Sequence, residues 1–300
     1  MSQEWQFATK KHIPVMPKEV LSHLNVQKDG VYVDGTIGLG GHSQLILSQL
    51  SAKGRLVGVD RDAEALEICK KRLSPYRSSL SLFNKSYDKI NSILDSLEIQ
   101  KVNGILLDLG LSSFQLDSKN RGFSYKTNCE LDMRFDRSQK KSAFNIVNNM
   151  PEKMLADLIY YNSEEKRSRA IARKIISMRP INKVFDLVEA IKKSTPPFKR
   201  DKTISRVFQA VRISVNNELE KLDQFLSTFY PRLLNGGRIV IISFHSLEDR
   251  KVKHAFKLLK SENKVQILTK KPLMPTELEK VDNSRSRSAK LRAAERKNDG

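Results

Sequence analysis

The segment VDGTIGLGGHS, Val33 to Ser43, does most to limit the folds open to this chain. Four glycines, Gly35, Gly38, Gly40 and Gly41, fall within seven residues, after an apolar VYV and before a helix-patterned HSQLILSQL. Glycine is entropically unfavourable inside regular elements, so such a cluster marks a strand-to-helix turn where something approaches the backbone. The alternation continues beyond it. RLVGVD (Arg55–Asp60) reads as a strand, AEALEICKKRL as a helix and LSLFN as a third strand. YDKINSILDSL carries Ile90, Ile93, Leu94 and Leu97 at helical spacing, and NGILLDLG (Asn103–Gly110) is a fourth strand. Strands and helices alternating through short connections predict an α/β fold with a parallel sheet covered on both faces.

Near Leu111 this rhythm stops. Residues 114–140 are polar and irregular, and helical patterns follow over 142–161, 163–178 and 184–193, with a basic, proline-marked TPPFKRDK after them. From Val207 the α/β pattern returns. FQAVRISVNNELEKLDQFLSTFYPRL predicts one long helix, NGG a turn and RIVIISF a strongly apolar strand. The expected organisation is a discontinuous core, residues 1–113 and 206–300, with a helical domain over 114–205 inserted into it. The C-terminal SAKLRAAER has helical spacing and reads as an ordered end facing nucleic acid.

Charge points to the partner. Lys and Arg number 54 against 34 Asp and Glu, a formal net charge of +20. From Glu164 to Arg206 there are 13 Lys/Arg and five Asp/Glu, and Arg167, Arg169, Arg173 and Lys174 crowd one short span. Solvated helix faces account for part of this. Like charges so close repel unless a polyanion compensates, which favours nucleic acid as partner. The two cysteines, Cys69 and Cys129, have neither metal-ligand spacing nor a disulfide pattern. No metal is expected. MSQEWQFATKKHIPV has no signal-peptide pattern, and no apolar run reaches the length of a membrane span. A cytoplasmic protein with no membrane partner is expected.

The glycine spacing, G-x-x-G-x-G-G, departs from the dinucleotide fingerprint G-x-G-x-x-G, and no Gly-Lys-Ser/Thr follows to make a phosphate loop. Asp60 ends the second strand about 20 residues on, where an acid can accept both hydroxyls of a ribose. Asp60 or Asp62 could instead cap the next helix. A cofactor with an adenosine ribose but no pyrophosphate suits the turn, and S-adenosylmethionine is the candidate. Asp108 ends the fourth strand, where ligands of open α/β sheets sit; a turn-forming buried Asp is the plain alternative. ISFHSLEDR places Ser243, His245 and Ser246 after the last apolar strand, but a hydrolase elbow G-x-S-x-G is missing. His245 therefore reads as a hydrogen-bonding or RNA-contacting group. Arg121, Phe123 and Tyr125 in NRGFSY offer either cation and stacking contacts to RNA or loop packing.

HIPVMPKEVL, VDGTIGLGGHS, GVDRD, LLDLGLSSFQLD, RGFS, LDMRFD, RVFQAVRISVNNELE, GGRIVIISFHSLEDRKVK and SRSRSAKLRAAER, taken in order, resemble the bacterial 16S ribosomal RNA cytosine-N4 methyltransferase family, RsmH, formerly MraW. The resemblance runs from about His12 to Arg296. It implies a class I, Rossmann-like S-adenosylmethionine-dependent methyltransferase core with an inserted all-helical domain. It implies methyl transfer to the exocyclic amine of one cytosine in the decoding centre of 16S ribosomal RNA, in the small ribosomal subunit. Carried over by motif, Gly40, Gly41, His42, Asp60, Asp108 and Gln115 would bind the cofactor. Tyr87 stands where the family usually has Phe against the adenine. Asp108, or a backbone carbonyl beside it, would accept from the target amine. The insert, with Arg167 and Arg173, would hold RNA, as would Arg285 and Arg287. Phe114 in place of a usual Pro, and Cys129-Glu130 in place of Gly-Pro, mark departures in the 114–130 loop. Rival readings are an NAD-dependent oxidoreductase, a DNA amine methyltransferase lacking its Asn/Asp-Pro-Pro-Tyr, and a ribosome-assembly factor with a vestigial pocket.

Overall fold

The apolar strands predicted above assemble side by side in the structure, a computed structural model that describes residues 14–298. A first helix, α1 (Pro17–Leu24), leads into β1 (Val31–Asp34). Then follow α2 (Gly41–Leu47), β2 (Arg55–Asp60), α3 (Ala63–Arg72), β3 (Leu80–Asn84), α4 (Ile90–Ser96) and β4 (Val102–Asp108). After the insert come β5 (Leu233–Ser243), α12 (Ser246–Ser261), β6 (Val265–Ile267), α13 (Glu277–Asp282) and β7 (Lys290–Arg296). The seven-stranded sheet runs β3-β2-β1-β4-β5-β7-β6. β1 to β5 are parallel, and β7 pairs antiparallel with β5 and β6. Strand order reverses between β1 and β4, which is where a ligand crevice opens in folds of this class.

Both faces of the sheet are covered, so its central strands are apolar throughout rather than alternating. Ile105, Leu107, Ile239 and Ile241 face one buried cluster with Phe225, Phe229 and Phe256. Leu106, Val240 and Ile242 face the other, with Val20, Leu24, Ile46 and Leu56.

Spatially the chain forms two units, residues 1–110 with 220–300, and residues 111–219. The second holds α5 (Ser113–Asp117), α6 (Ala143–Asn149), α7 (Glu152–Ser163), α8 (Ser168–Ser177), α9 (Val184–Lys193) and α10 (Arg200–Asn216). α11 (Glu218–Thr228) leads back to the first unit. Helical-spaced Leu155, Ile159, Ile171, Ile175, Leu187, Ile191, Val207 and Val211 form the second unit's own core.

Three expectations change. The long helix from Phe208 is two helices, because Asn217 adopts a left-handed conformation (φ 51°) and closes the first through its N–H to Ile213 O. Arg212 then reaches past the break to Glu218, at 2.9 and 3.0 Å. α10 belongs whole to the second unit, so the boundary placed at 205/206 falls inside a helix; its apolar face is committed to the insert's core. SAKLRAAER runs from Lys290 onward as β7 and not as a helix. Ala293 and Ala294 are enclosed between neighbouring strands, and Arg292 is held by Asp249 at 2.6 and 3.1 Å. Tertiary pairing overrides a local pattern of Ala, Leu and Arg that would otherwise suit a helix. Residues 1–13, read for targeting signals, lie outside the described residues. No helix among the described residues is long and apolar enough to cross a membrane.

Candidate active site

The glycine turn is built by contacts on three sides. Gly40 caps α2 with φ 80°, and Gly38 also has positive φ, at 49°. A methyl group at Gly40 would sit 2.9 Å from Leu73 Cδ1 and 3.0 Å from Cys69 Sγ, and one at Gly35 would meet Leu107 Cδ2. These two glycines therefore serve internal packing. Gly41 begins α2.

Asp60 is tied to this turn. Its carboxylate accepts the Gly38 N–H at 2.8 Å and the Asp62 N–H at 2.9 Å. Helix capping falls to Asp62, which accepts from Glu64 N and Ala65 N. That leaves the second lone pairs of the Asp60 carboxylate for a ligand. Burial pushes the Asp60 carboxyl up to about 6, with the two N–H donors partly offsetting it.

Asp34, absent from the sequence candidates, ends β1 beside the same turn. It is 2 % exposed and accepts Ser43 Oγ–H at 2.7 Å and Thr36 N–H at 3.2 Å. Burial also pushes it up to about 6, opposed first by the Ser43 bond and then by nearby His42. An Asp closing the first strand just before a glycine cluster was the available signal. Thr36 Oγ1 also lies 2.6 Å from the Asp108 N–H, so the ends of β1 and β4 are latched together.

Asp108 and His42 face each other with unmet polar demand. His42 Nε2 lies 3.6 Å from Asp108 Oδ2, beyond hydrogen-bond range. Both His42 nitrogens and Asp108 Oδ1 are buried without a hydrogen-bond partner. A ligand carrying donors would satisfy the Asp108 oxygen, which otherwise bears a desolvation penalty of roughly 1–3 kcal/mol. Tyr87 stands beside the turn, its Cβ 3.1 Å from the position a Gly35 Cβ would take, and its ring packs edge-on against Phe225 at 5.9 Å.

Other candidates have different surroundings. Gln115 lies in the second unit and forms a capping box with Ser112, accepting the Ser112 N–H at 3.1 Å. Arg121 and Phe123 are not on an RNA-facing surface. Arg121 is fully buried and donates to the Arg134 and Phe135 carbonyls at 2.9 and 3.0 Å. Phe123 is 5 % exposed and stacks on Phe135. A long guanidinium organising loop carbonyls from inside is indistinguishable, in sequence, from one reaching out to phosphate. Tyr125 packs edge-on against Phe208. His245 caps α12, with Nδ1 accepting from Glu248 N at 3.4 Å. Arg287 is exposed and Arg285 half-buried, while Arg167 and Arg173 are exposed on the insert.

The sequence profile described as the MraW methylase family matches residues 9–297. The chain belongs to that family. S-adenosylmethionine is accordingly its methyl donor, and the residues present fit such a ligand: Asp60 is a half-buried acceptor at the glycine turn, and Asp108 and His42 carry unmet polar atoms. A ribosomal RNA small subunit methyltransferase H from Thermosipho africanus is 47% identical, over 95% of this chain and 98% of that protein. The protein of the same name from Kosmotoga olearia is 48% identical over 96% and 98%. One from Clostridium botulinum is 46% identical over 94% and 97%.

Proposed function

We propose that this methylase transfers a methyl group from S-adenosylmethionine to the exocyclic N4 of one cytosine in the decoding centre of 16S ribosomal RNA, within the small ribosomal subunit. The names of its relatives support small-subunit ribosomal RNA as the substrate class. The observation that carries the chemistry is Asp108, whose Oδ1 is buried and unpartnered at the end of β4. The lone pair of a cytosine amine is delocalised into the ring. An acceptor that takes a hydrogen bond from N4 lets that lone pair localise. Holding nitrogen in line with the S–CH3 bond supplies roughly 7–11 kcal/mol of the barrier. Asp60 would fix the ribose, the Gly38–Gly41 turn the methionine end, and Tyr87 the adenine face. No strong base is needed, because the methylated ammonium loses its proton readily. The base must leave its stack, by flipping or from an unpaired loop. Gln115 is proposed as a further cofactor contact on the motif alone. A ribosomal substrate places the enzyme in the cytoplasm.

Labelled S-adenosylmethionine, undermethylated small subunits and nucleoside analysis of the product test the proposal. Label on cytosine N4 is expected; label on a ring carbon or a ribose oxygen overturns it. Calorimetry with the cofactor alone separates an enzyme from an assembly factor, which would release no heat.

A further inference from the structure

Within the insert, α8, the end of α9 and the TPPFKR segment enclose a cleft of about 640 Å³. Six cations line it: Arg167, Arg173, Lys174, Lys192, Lys193 and Arg200; none of the lining residues is acidic. Ala170, Arg173, Lys174 and Ser177 follow helical spacing, so one whole face of α8 is given to the cleft. Two cations have carboxylate neighbours, Arg173 with Glu152 at 3.7 Å and Lys193 with Glu189 at 2.5 Å. Among the described residues the charged groups of Arg167, Lys174, Lys192 and Arg200 have none within 4.0 Å, although the Arg167 backbone N–H donates to the Glu165 carboxylate at 3.0 Å.

Two of these guanidinium groups are held in place. Arg167 donates from Nε and Nη2 to Ser194 O, at 3.1 and 2.8 Å, and Arg200 donates from Nε to Thr195 O at 3.3 Å. Each keeps further N–H donors for a ligand. Between these anchors lies Thr195, only 5 % exposed, with its Oγ1 buried and unpartnered. An orphaned hydroxyl among mutually repelling cations calls for an anion with several oxygen acceptors. Just outside, Phe198 is 82 % exposed, with Lys199 Nζ 5.3 Å from its ring centroid. An exposed aromatic beside a cationic groove is how proteins hold an unpaired nucleotide, backbone in the groove and base on the ring.

We infer that this cleft is a second RNA contact, separate from the methyl-transfer site, which grips the phosphates of an unpaired strand and stacks one of its bases on Phe198. The inference rests on the reading that ribosomal RNA is the substrate. It makes the cleft responsible for substrate affinity and leaves chemistry elsewhere.

The test uses the full chain with undermethylated small subunits as probe. Steady-state methyl transfer and filter binding across a salt series are measured for Lys174→Gln/Lys192→Gln, Thr195→Val and Phe198→Ala. Lys53→Gln/Lys101→Gln, an equal charge change on the other unit, is the control. The cleft pair should raise KM about tenfold with kcat and cofactor affinity unchanged. Its log Kd against log salt slope should fall by roughly 1.4, for two lost phosphate contacts to an unpaired strand. Thr195→Val should raise KM several-fold. Phe198→Ala should raise KM several-fold without altering the slope. Wild-type KM and slope in the cleft pair, or equal changes in the control pair, overturn the cleft. An unchanged KM in Phe198→Ala overturns the stacking. If the wild type itself transfers no methyl to the subunits, the proposed function fails as well; if it does and the cleft variants match it, the cleft alone fails.

Discussion

The glycine turn and the insert's basic cleft solve opposite recognition problems. Around the turn, polar groups are few and individually placed: Asp60 bonded to Gly38 and Asp62, Asp34 to Ser43 and Thr36, and His42 and Asp108 with buried atoms still unpartnered. In the cleft, charges are many, of one sign and mostly wet. A small ligand bound once per turnover is read by fixed geometry, so ordering is done by the fold before binding. A long polyanion is read by summed charge, where no single contact decides. Removing one group should therefore be severe at the turn and mild in the cleft.

The sharpest break in that contrast comes from Asp60→Ala. It removes the carboxylate proposed to hold the two ribose hydroxyls and frees the Gly38 N–H, so S-adenosylmethionine affinity should fall at least 100-fold, about 3 kcal/mol by calorimetry. Asp108→Asn keeps the shape but weakens the acceptor for N4. Single-turnover methyl transfer should slow by roughly ten- to a hundredfold while cofactor affinity changes far less. Full activity in this variant would remove the ionic role. Gly40→Ala probes the frame itself. Positive φ and the approach to Leu73 should lower unfolding free energy by about 1–3 kcal/mol in urea titration.

Acid should perturb the turn without mutation. In the proposed role Asp60 would accept ribose hydroxyls when ionised, so cofactor affinity should weaken as pH falls through about 6. Folding responds with the opposite sign. Both buried carboxyls titrate above their unfolded values, so their contribution to stability is present below about pH 4 and is lost as pH rises through about 6. Calorimetry and denaturant titration from pH 4.5 to 8 read the two trends; Asp60→Asn should flatten the first and leave the Asp34 share of the second. The smallest effect belongs to Asp62→Ala, a lost helix cap costing about 1 kcal/mol of stability with cofactor affinity nearly unchanged.

The core was legible because its signals are local. VYVD, RLVGVD and NGILLDLG are apolar runs bounded by turn residues, and Asp60 and Asp108 fall at their ends by register alone. What escaped depends on partners far away in sequence. Nothing near Arg121 says that its guanidinium turns inward to carbonyls at 134 and 135. Lys290–Arg296 becomes a strand because β5 and β6 flank it. Asp34 stands in sequence beside four more conspicuous glycines. The basic insert was visible as composition, but which cations lack acidic neighbours was not.

The position of β7 also bears on how the protein is made. The Ile239–Ile242 stretch of β5 has β4 on one side and only β7 on the other. Synthesis reaches β7 about fifty residues after β5 is complete. Until then an apolar strand lies open at the sheet margin, the geometry that invites pairing with another chain. Emergence of Lys290–Arg296 thus becomes a release point: a nascent chain stalled before it would be held as a sticky, unfinished sheet, and one that passes it would seal itself.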